Sequence, residues 1–307
     1  MHLKLVQILI LFTLQLPIWI SGCVPRGNTS AADSLYLVAR GAKPMYNLHQ
    51  PDKKYFLPYV LEEISGLSYY KNDIVACIQD ESGKIYFYNL ANEEMVHTST
   101  FEYGGDYEGI EIVNDKVFIV KSDGDLFVTP LDFRTEKRQA ERIKTKFKSK
   151  NDIEGLGFDP KLNALLLVTK DDAGIDDEKD RDSKGVYAFY LDKMKLDKDA
   201  LFIITRKERE EFFKSNNPEN RYDDKRLLFK PSGIAVHPID GDYYVLASVG
   251  KLLMVLSPDG SIKASHPIKP GILGQPEGIC FAPDGTMYIA SEGDGDRGYI
   301  LKYSMKE

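Results

Sequence analysis

Apolar residues in this chain gather in short runs, continuous or alternating with polar ones, each closed by Gly, Asn or Asp. ISGLSYY, DIVACIQD, KIYFYNL and EMVHTSTFE follow one another from Ile64, and GIEIV, KVFIVKS, DLFVTPL and ERIKTKF from Gly109. Runs of this length with this punctuation predict strands, because a helix would need a 3.6-residue apolar period over a longer stretch.

The opening pair of strands in each group recurs as a phrase. It reads EISGLSYYKNDIVACIQD from Glu63, DYEGIEIVNDKVFIVKSD from Asp106 and DIEGLGFDPKLNALLLVTK from Asp152, then KPSGIAVHPIDGDYYVLAS from Lys230 and QPEGICFAPDGTMYIASE from Gln275. The glycines of the phrase, at 66, 109, 155, 233 and 278, are 43, 46, 78 and 45 residues apart. A repeat of 40 to 50 residues with several short strands in each predicts an all-β propeller, one blade per repeat.

The 78-residue interval decides between five blades and six. GLGFD, ALLLVTK, GVYAFYL and ALFIITR already supply four strands by Arg206, and RKEREEFFKSNNPENRYDDKR then lacks alternation and reads as a charged helix ending near Asn216. The interval is therefore expected to hold one blade and a helical insertion, with six blades as the alternative. A second insertion, DDAGIDDEKDRDSKG, lengthens a loop from Asp171. The last repeat has only three strands, EGICFA, TMYIASE and GYILKYS, which would leave an unpaired edge. The N-terminal segment at about 45 to 60 is expected to fill it.

The first residues follow another pattern. One Lys precedes an apolar run, Leu5 to Ile20, broken by Gln7, Thr13, Gln15 and Pro17, which suits a secretory signal better than a membrane span. It ends in Ile20-Ser21-Gly22-Cys23, which resembles the bacterial lipobox, so Cys23 is the expected lipidation site. Residues 1–22 then form a lipoprotein signal peptide, 23–44 a lipidated tether and 45–307 the propeller. Acyl chains would tether the protein to the membrane without a spanning helix. The run Val-Pro-Arg-Gly-Asn after Cys23 has no acidic cluster, favouring a bacterial envelope location facing the periplasm.

The chain carries 40 basic and 47 acidic side chains, and the leader contains one Lys and no acid. An acidic surface argues against nucleic acid and against electrostatic docking on anionic lipid. Cys77 and Cys280 lie inside apolar strands and read as small buried hydrophobes, a disulfide between them being left open.

EISGLSY, the D-x-E-G repeats DYEGIE and DIEGLGFDP, and the closing QPEGICFAPDGTMYIASE resemble the SdiA-regulated family of YjiK-like periplasmic proteins, over about residues 45 to 303. Propellers of the NHL and gluconolactonase types share the strand-glycine-strand rhythm. The resemblance implies a five-bladed propeller with a calcium site and no established activity.

The first strand of each propeller blade lines the central channel, so equivalent positions form a ring. Before the motif glycines stand Ser65, Glu108, Glu154, Ser232 and Glu277; two residues earlier, on the same face of a regular strand, stand Glu63, Asp106, Asp152, Lys230 and Gln275. Converging glutamates stay ionised only with a cation or a Lys among them. Oxygen donors with no His or Cys nearby favour calcium, with Glu108, Glu154, Glu277, Asp106 and Asp152 as candidate ligands, and the scattered histidines argue against zinc. The alternative is a metal-free polar plug, in which the acids pair with lysines such as Lys121 and Lys170 or cap strand starts.

Two functional classes follow. One is a lipid-anchored, calcium-binding module that binds or scaffolds a protein or small-molecule ligand. The other is a metal-dependent hydrolase of lactonase or phosphoester type, with the ring metal as Lewis acid and Glu154 as general base. Gluconolactonase-like enzymes use Asn and Asp around the metal where this ring has two Ser and a Lys, which counts against the hydrolase. No His is placed by sequence to activate Ser232.

Overall fold

Two short strands open the structure, β1 (Leu37–Val38) and β2 (Lys53–Phe56), and five antiparallel sheets follow. The structure is a computed structural model that describes residues 37–38, 45–137, 139–175, 180–216, 227–269 and 271–306. The expected signal peptide, Cys23 and, apart from 37–38, the expected tether lie outside the described residues. So does the stretch 217–226 that follows the helix.

Blade one is β3 (Ile64–Lys71), β4 (Ile74–Gln79), β5 (Lys84–Asn89) and β6 (Glu94–Thr100). Blade two is β7 (Tyr107–Val113), β8 (Lys116–Lys121), β9 (Leu126–Pro130) and β10 (Glu141–Ile143). In blade three, β11 (Ile153–Asp159), β12 (Ala164–Thr169) and β13 (Lys184–Tyr190) are followed by a split outer strand. Both β14 (Lys195–Leu196) and β15 (Phe202–Ile204) pair with β13. Blade four is β16 (Lys230–Val236), β17 (Tyr243–Val249), β18 (Leu252–Leu256) and β19 (Ile262–Pro267), and blade five is β20 (Gln275–Phe281), β21 (Met287–Glu292) and β22 (Tyr299–Tyr303). The inner strands β3, β7, β11, β16 and β20 neighbour one another in that order and return to β3, closing a five-bladed propeller. The 78-residue interval is one blade plus an insertion.

Five apolar clusters hold the blades together, one at each interface. Val75 and Tyr88 of blade one meet Tyr288 and Ile300 of blade five, Leu167 of blade three meets Phe118 of blade two, and the remaining three interfaces are built alike. Because blades are covered on both faces, the middle strands are apolar throughout: all six residues of β12 are buried. The outer strand β6 alternates instead, since one of its faces meets solvent. Cys77 and Cys280 are buried, free thiols in one of these clusters.

Closure uses the N-terminal segment, as the missing strand requires. β2 pairs antiparallel with β22, from Lys53 opposite Lys302 to Phe56 opposite Tyr299. Arg297 clamps the seam, its Nε donating to the Leu57 carbonyl at 2.6 Å and its Nη2 to that of Phe56 at 2.8 Å. β1 adds a fifth strand to blade four beside β19, a pairing its two-residue length gave no means to foresee.

The inserted helix α1 (Arg206–Asn216) starts on a capping box. Glu208 N donates to Thr205 Oγ1 at 3.1 Å, and Thr205 N donates back to Glu208 Oε2 at 2.9 Å. The helix is anchored by buried Arg209, which donates to the carbonyls of Ile204 (3.1 Å) and Asp182 (2.9 Å), and by Phe213 packed on Leu227.

Candidate functional site

Each motif glycine marks a place where two inner strands nearly touch. A Cβ on Gly109 would lie 2.7 Å from Leu156 Cβ, one on Gly278 2.8 Å from Leu67 Cβ, and one on Gly66 3.0 Å from Ile110 N. On Gly155 it would meet Gly233 C, and on Gly233 the Glu277 carbonyl, each at 3.0 Å. Every contact reaches into the next blade, so the glycines set how tightly the ring closes.

The residue before each glycine sits in a β-bulge. Pairing of inner with second strand shifts register between Ile64 and Gly66, Tyr107 and Gly109, Ile153 and Gly155, Pro231 and Gly233, and Pro276 and Gly278. The skipped residues are Ser65, Glu108, Glu154, Ser232 and Glu277. A bulge residue is released from its ladder and re-aimed, and these five line a single space on the axis.

The bulges also change the second tier of the expected ring. Asp106 and Asp152 precede the first residues of β7 and β11, and Asp152 has φ +53°. Both still act on the ring glutamates: Asp106 shares a side-chain hydrogen bond with Glu108, and the charges of Asp152 and Asp106 both raise Glu154. Asp106 is exposed and accepts from Ser122 Oγ, as a turn residue does. Lys230 pairs with Asp171 at 2.8 Å, and Gln275 Nε2 donates to Glu292 Oε2 at 2.6 Å.

Within the ring, Ser65 Oγ donates to the Tyr107 carbonyl and Ser232 Oγ to that of Pro276, each at 2.7 Å. The serines thus stitch blade one to two and blade four to five. Lys170, at the end of β12, reaches Glu154 and forms an ion pair with it. Burial lifts Glu154 to about 7 even with Lys170 opposing it. Burial lowers the Lys170 ammonium, but attraction and a hydrogen bond from Glu154 outweigh it and hold Lys170 above its ordinary value. Burial, then Glu154 and Asp106, push Glu108 up to about 10, and burial followed by Glu154 and Glu292 carries Glu277 well above the carboxylate range. The ring thus combines one salt bridge, Lys170 with Glu154, and two glutamates, Glu108 and Glu277, that burial biases toward the protonated form.

The donors are the hard oxygens that calcium selects. Lys170 is paired with Glu154, and the space among the glutamates is about 10 Å³, one water's worth. Among the described residues no three His, Cys, Asp or Glu side chains are grouped closely enough to hold a metal ion. Below the acids Leu67, Ile110, Leu156, Ile234 and Ile279 close the same axial space.

A second cavity opens at the other ends of the inner strands, with a volume of about 250 Å³. All five blades contribute, through Tyr69, Glu111, Phe158, Val236 and Phe281 with their neighbours. Glu111 was not among the residues singled out from sequence. Its signal is the position two after the motif glycine, which is Ser68, Gly157, Ala235 and Cys280 in the other blades and a glutamate only here.

A closed five-bladed ring with a bulge-borne acidic axis defines the class of this protein. Over residues 42–295 the sequence matches the family described as SdiA-regulated, and the chain belongs to that family. No curated protein matches it. Solved structures that resemble it include a luciferin-regenerating enzyme, 11% identical, with 82% of this chain and 94% of that chain covered at a TM-score of 0.46. Aldose sugar dehydrogenase from Streptomyces coelicolor in its PQQ-bound form is 10% identical, covering 84% and 100% at 0.47. A Bacteroides thetaiotaomicron protein of unknown function is also 10% identical, covering 82% and 70% at 0.47. Likenesses this distant carry no functional argument.

Proposed function

We propose that the protein is a non-catalytic binding module of the bacterial envelope, tethered through lipid on Cys23 and facing the periplasm. The observation that carries this reading is the narrow axis: among the described residues the space beside the acid ring is about 10 Å³, and a hydrolase needs an open position on its metal facing a pocket that takes a substrate. The lipobox-like Ile20-Ser21-Gly22-Cys23 supports the tether. Purified protein is expected to show no turnover across a panel of lactones and phosphodiesters with calcium present. Turnover abolished by Glu154→Gln would replace this reading with the hydrolase. Cys23→Ser is expected to move the protein from the membrane fraction to the soluble periplasmic fraction.

Calcium at the ring is a second reading, favoured by the acids around the mouth. Burial raises Asp80 and Glu292, and Asp80 in turn raises Glu63, so acid predominates at this rim although Lys170 opposes the rise of Glu292. Glu108, Glu154 and Glu277 would hold the ion, with Lys170 displaced. A melting temperature that rises with calcium and falls with chelator, in the parent but not in Glu154→Gln, is the expected signature; no shift removes calcium from the account.

A further inference from the structure

The polar groups around the 250 Å³ cavity differ in what they have left to offer. Asp159 is spent: Oδ1 accepts from Lys161 N at 2.7 Å and Leu162 N at 3.1 Å, and Oδ2 accepts from the Tyr243 hydroxyl. His237 is spent as well, with Nδ1 2.9 Å from Asp240 Oδ1 and Nε2 2.9 Å from the Tyr46 hydroxyl. Burial keeps the Cys280 thiol protonated. Lys161 is exposed at the rim.

Glu111 is different. Ser68 Oγ donates to its Oε1 at 2.9 Å and Ile112 N donates to the same atom at 3.1 Å. Among the described residues, both hydrogen bonds to this carboxyl end on Oε1, which fixes the group and leaves Oε2 for whatever enters. The walls beside it are Tyr69, Phe158, Val236 and Phe281, three of them aromatic. A cavity with one oriented carboxyl among aromatic side chains has the chemistry of an ammonium site, since the carboxylate attracts the cation and the aromatic wall takes an apolar body.

We propose that this mouth of the propeller binds a small, largely apolar amine, its body against Tyr69, Phe158 and Phe281 and its ammonium on Glu111 Oε2. The site lies at the opposite end of the axis from the acid ring and does not depend on what the ring holds. Burial lifts Glu111 to about 7, with Ser68 and Ile112 opposing the rise, so an arriving ammonium meets a carboxyl that it converts to the ionised form.

Phenethylamine is the probe and 2-phenylethanol its uncharged control, both measured by calorimetry on the full chain at pH 8. The expected result is saturable binding of the amine with a dissociation constant near or below about 1 mM, and at least tenfold weaker binding of the alcohol. Glu111→Gln should weaken the amine at least tenfold while leaving the alcohol unchanged. Val236→Phe, which fills the cavity from its wall, should abolish both and covers the case in which the first variant does not fold. Gly271→Ala, at a surface position with nothing within 4 Å, should change neither. Equal affinity for amine and alcohol, undiminished binding in Glu111→Gln or Val236→Phe, or no saturable binding of the amine overturns the proposal.

Discussion

Glu108 and Glu277 hold their protons more tightly in the folded protein than in the unfolded chain, because each is buried beside other acids. A carboxyl whose pKa is higher in the folded state binds more protons there, so its contribution to stability declines as pH rises from the unfolded value through the folded one. For Glu108 that window runs from about 4.5 to about 10. Glu108→Gln keeps the shape and removes the titration, so it is expected to stabilise the protein at pH 8 by about 1–2 kcal/mol, a few degrees in melting temperature, and to do nothing near pH 4.5. Thermal melts of parent and variant at both pH values check this. Loss of stability at pH 8 instead would mean that Glu108 serves there as an ionised ligand. Lys170→Met removes the one ammonium facing Glu154 and is expected to cost about 2–3 kcal/mol, less than a buried pair broken outright because Glu154 can take up a proton. Adding Glu154→Gln to it should restore most of that loss in a double-mutant cycle.

At the scale of the element, the repeated phrase has three parts with separate physical jobs. The glycine admits the neighbouring strand, the residue before it occupies the bulge, and the strand that follows fills the interface. Gly109→Ala sets a methyl 2.7 Å from Leu156 Cβ and is expected to cost about 1–3 kcal/mol in urea unfolding, whereas Gly271→Ala, which meets nothing within 4 Å, should be silent. The glycine spacing made five blades legible in the sequence, and the missing twelfth-hour strand of blade five announced the need for β2. The three bulge glutamates were legible too, because one position before a repeated glycine must be equivalent in every blade. What was not legible was geometry that departs from a regular strand. The bulge one residue before each glycine is such a departure, while Asp106 and Asp152, reached by two-residue periodicity, still act on Glu108 and Glu154. Lys170 was visible as a strand-end lysine, but its partner depends on the packing of two strands. Glu111 was overlooked because one acid in an apolar strand reads as its solvent face, and only alignment of the blades shows a carboxyl where the others have small residues.

For the whole molecule, the two ends of the axis are chemically opposite. One end is acidic and narrow at the bulges, the other wider and largely lined by apolar and aromatic residues, with Glu111 as its oriented carboxyl. A binding module with such an axis should present different partners at its two faces, and variants at one end should leave the other undisturbed. The seam at β2 and β22 is where the ring is held shut. Arg297→Ala removes two hydrogen bonds to the Phe56 and Leu57 carbonyls and is expected to cost about 1–3 kcal/mol, read as faster hydrogen exchange in Lys53–Phe56 and Tyr299–Tyr303 before other blades.

That seam also has a consequence in time. Lys53 and Lys302 face each other across nearly the whole sequence, so the last interface forms only when both ends of the chain are free to meet. Blades one to four are local hairpins that can assemble as they emerge, but closure brings together strands separated by the entire propeller, the slowest kind of contact to find. Until then the edge of β22 stays bare. The vulnerable interval in the life of this protein is the one between β22 being made and β2 finding its place.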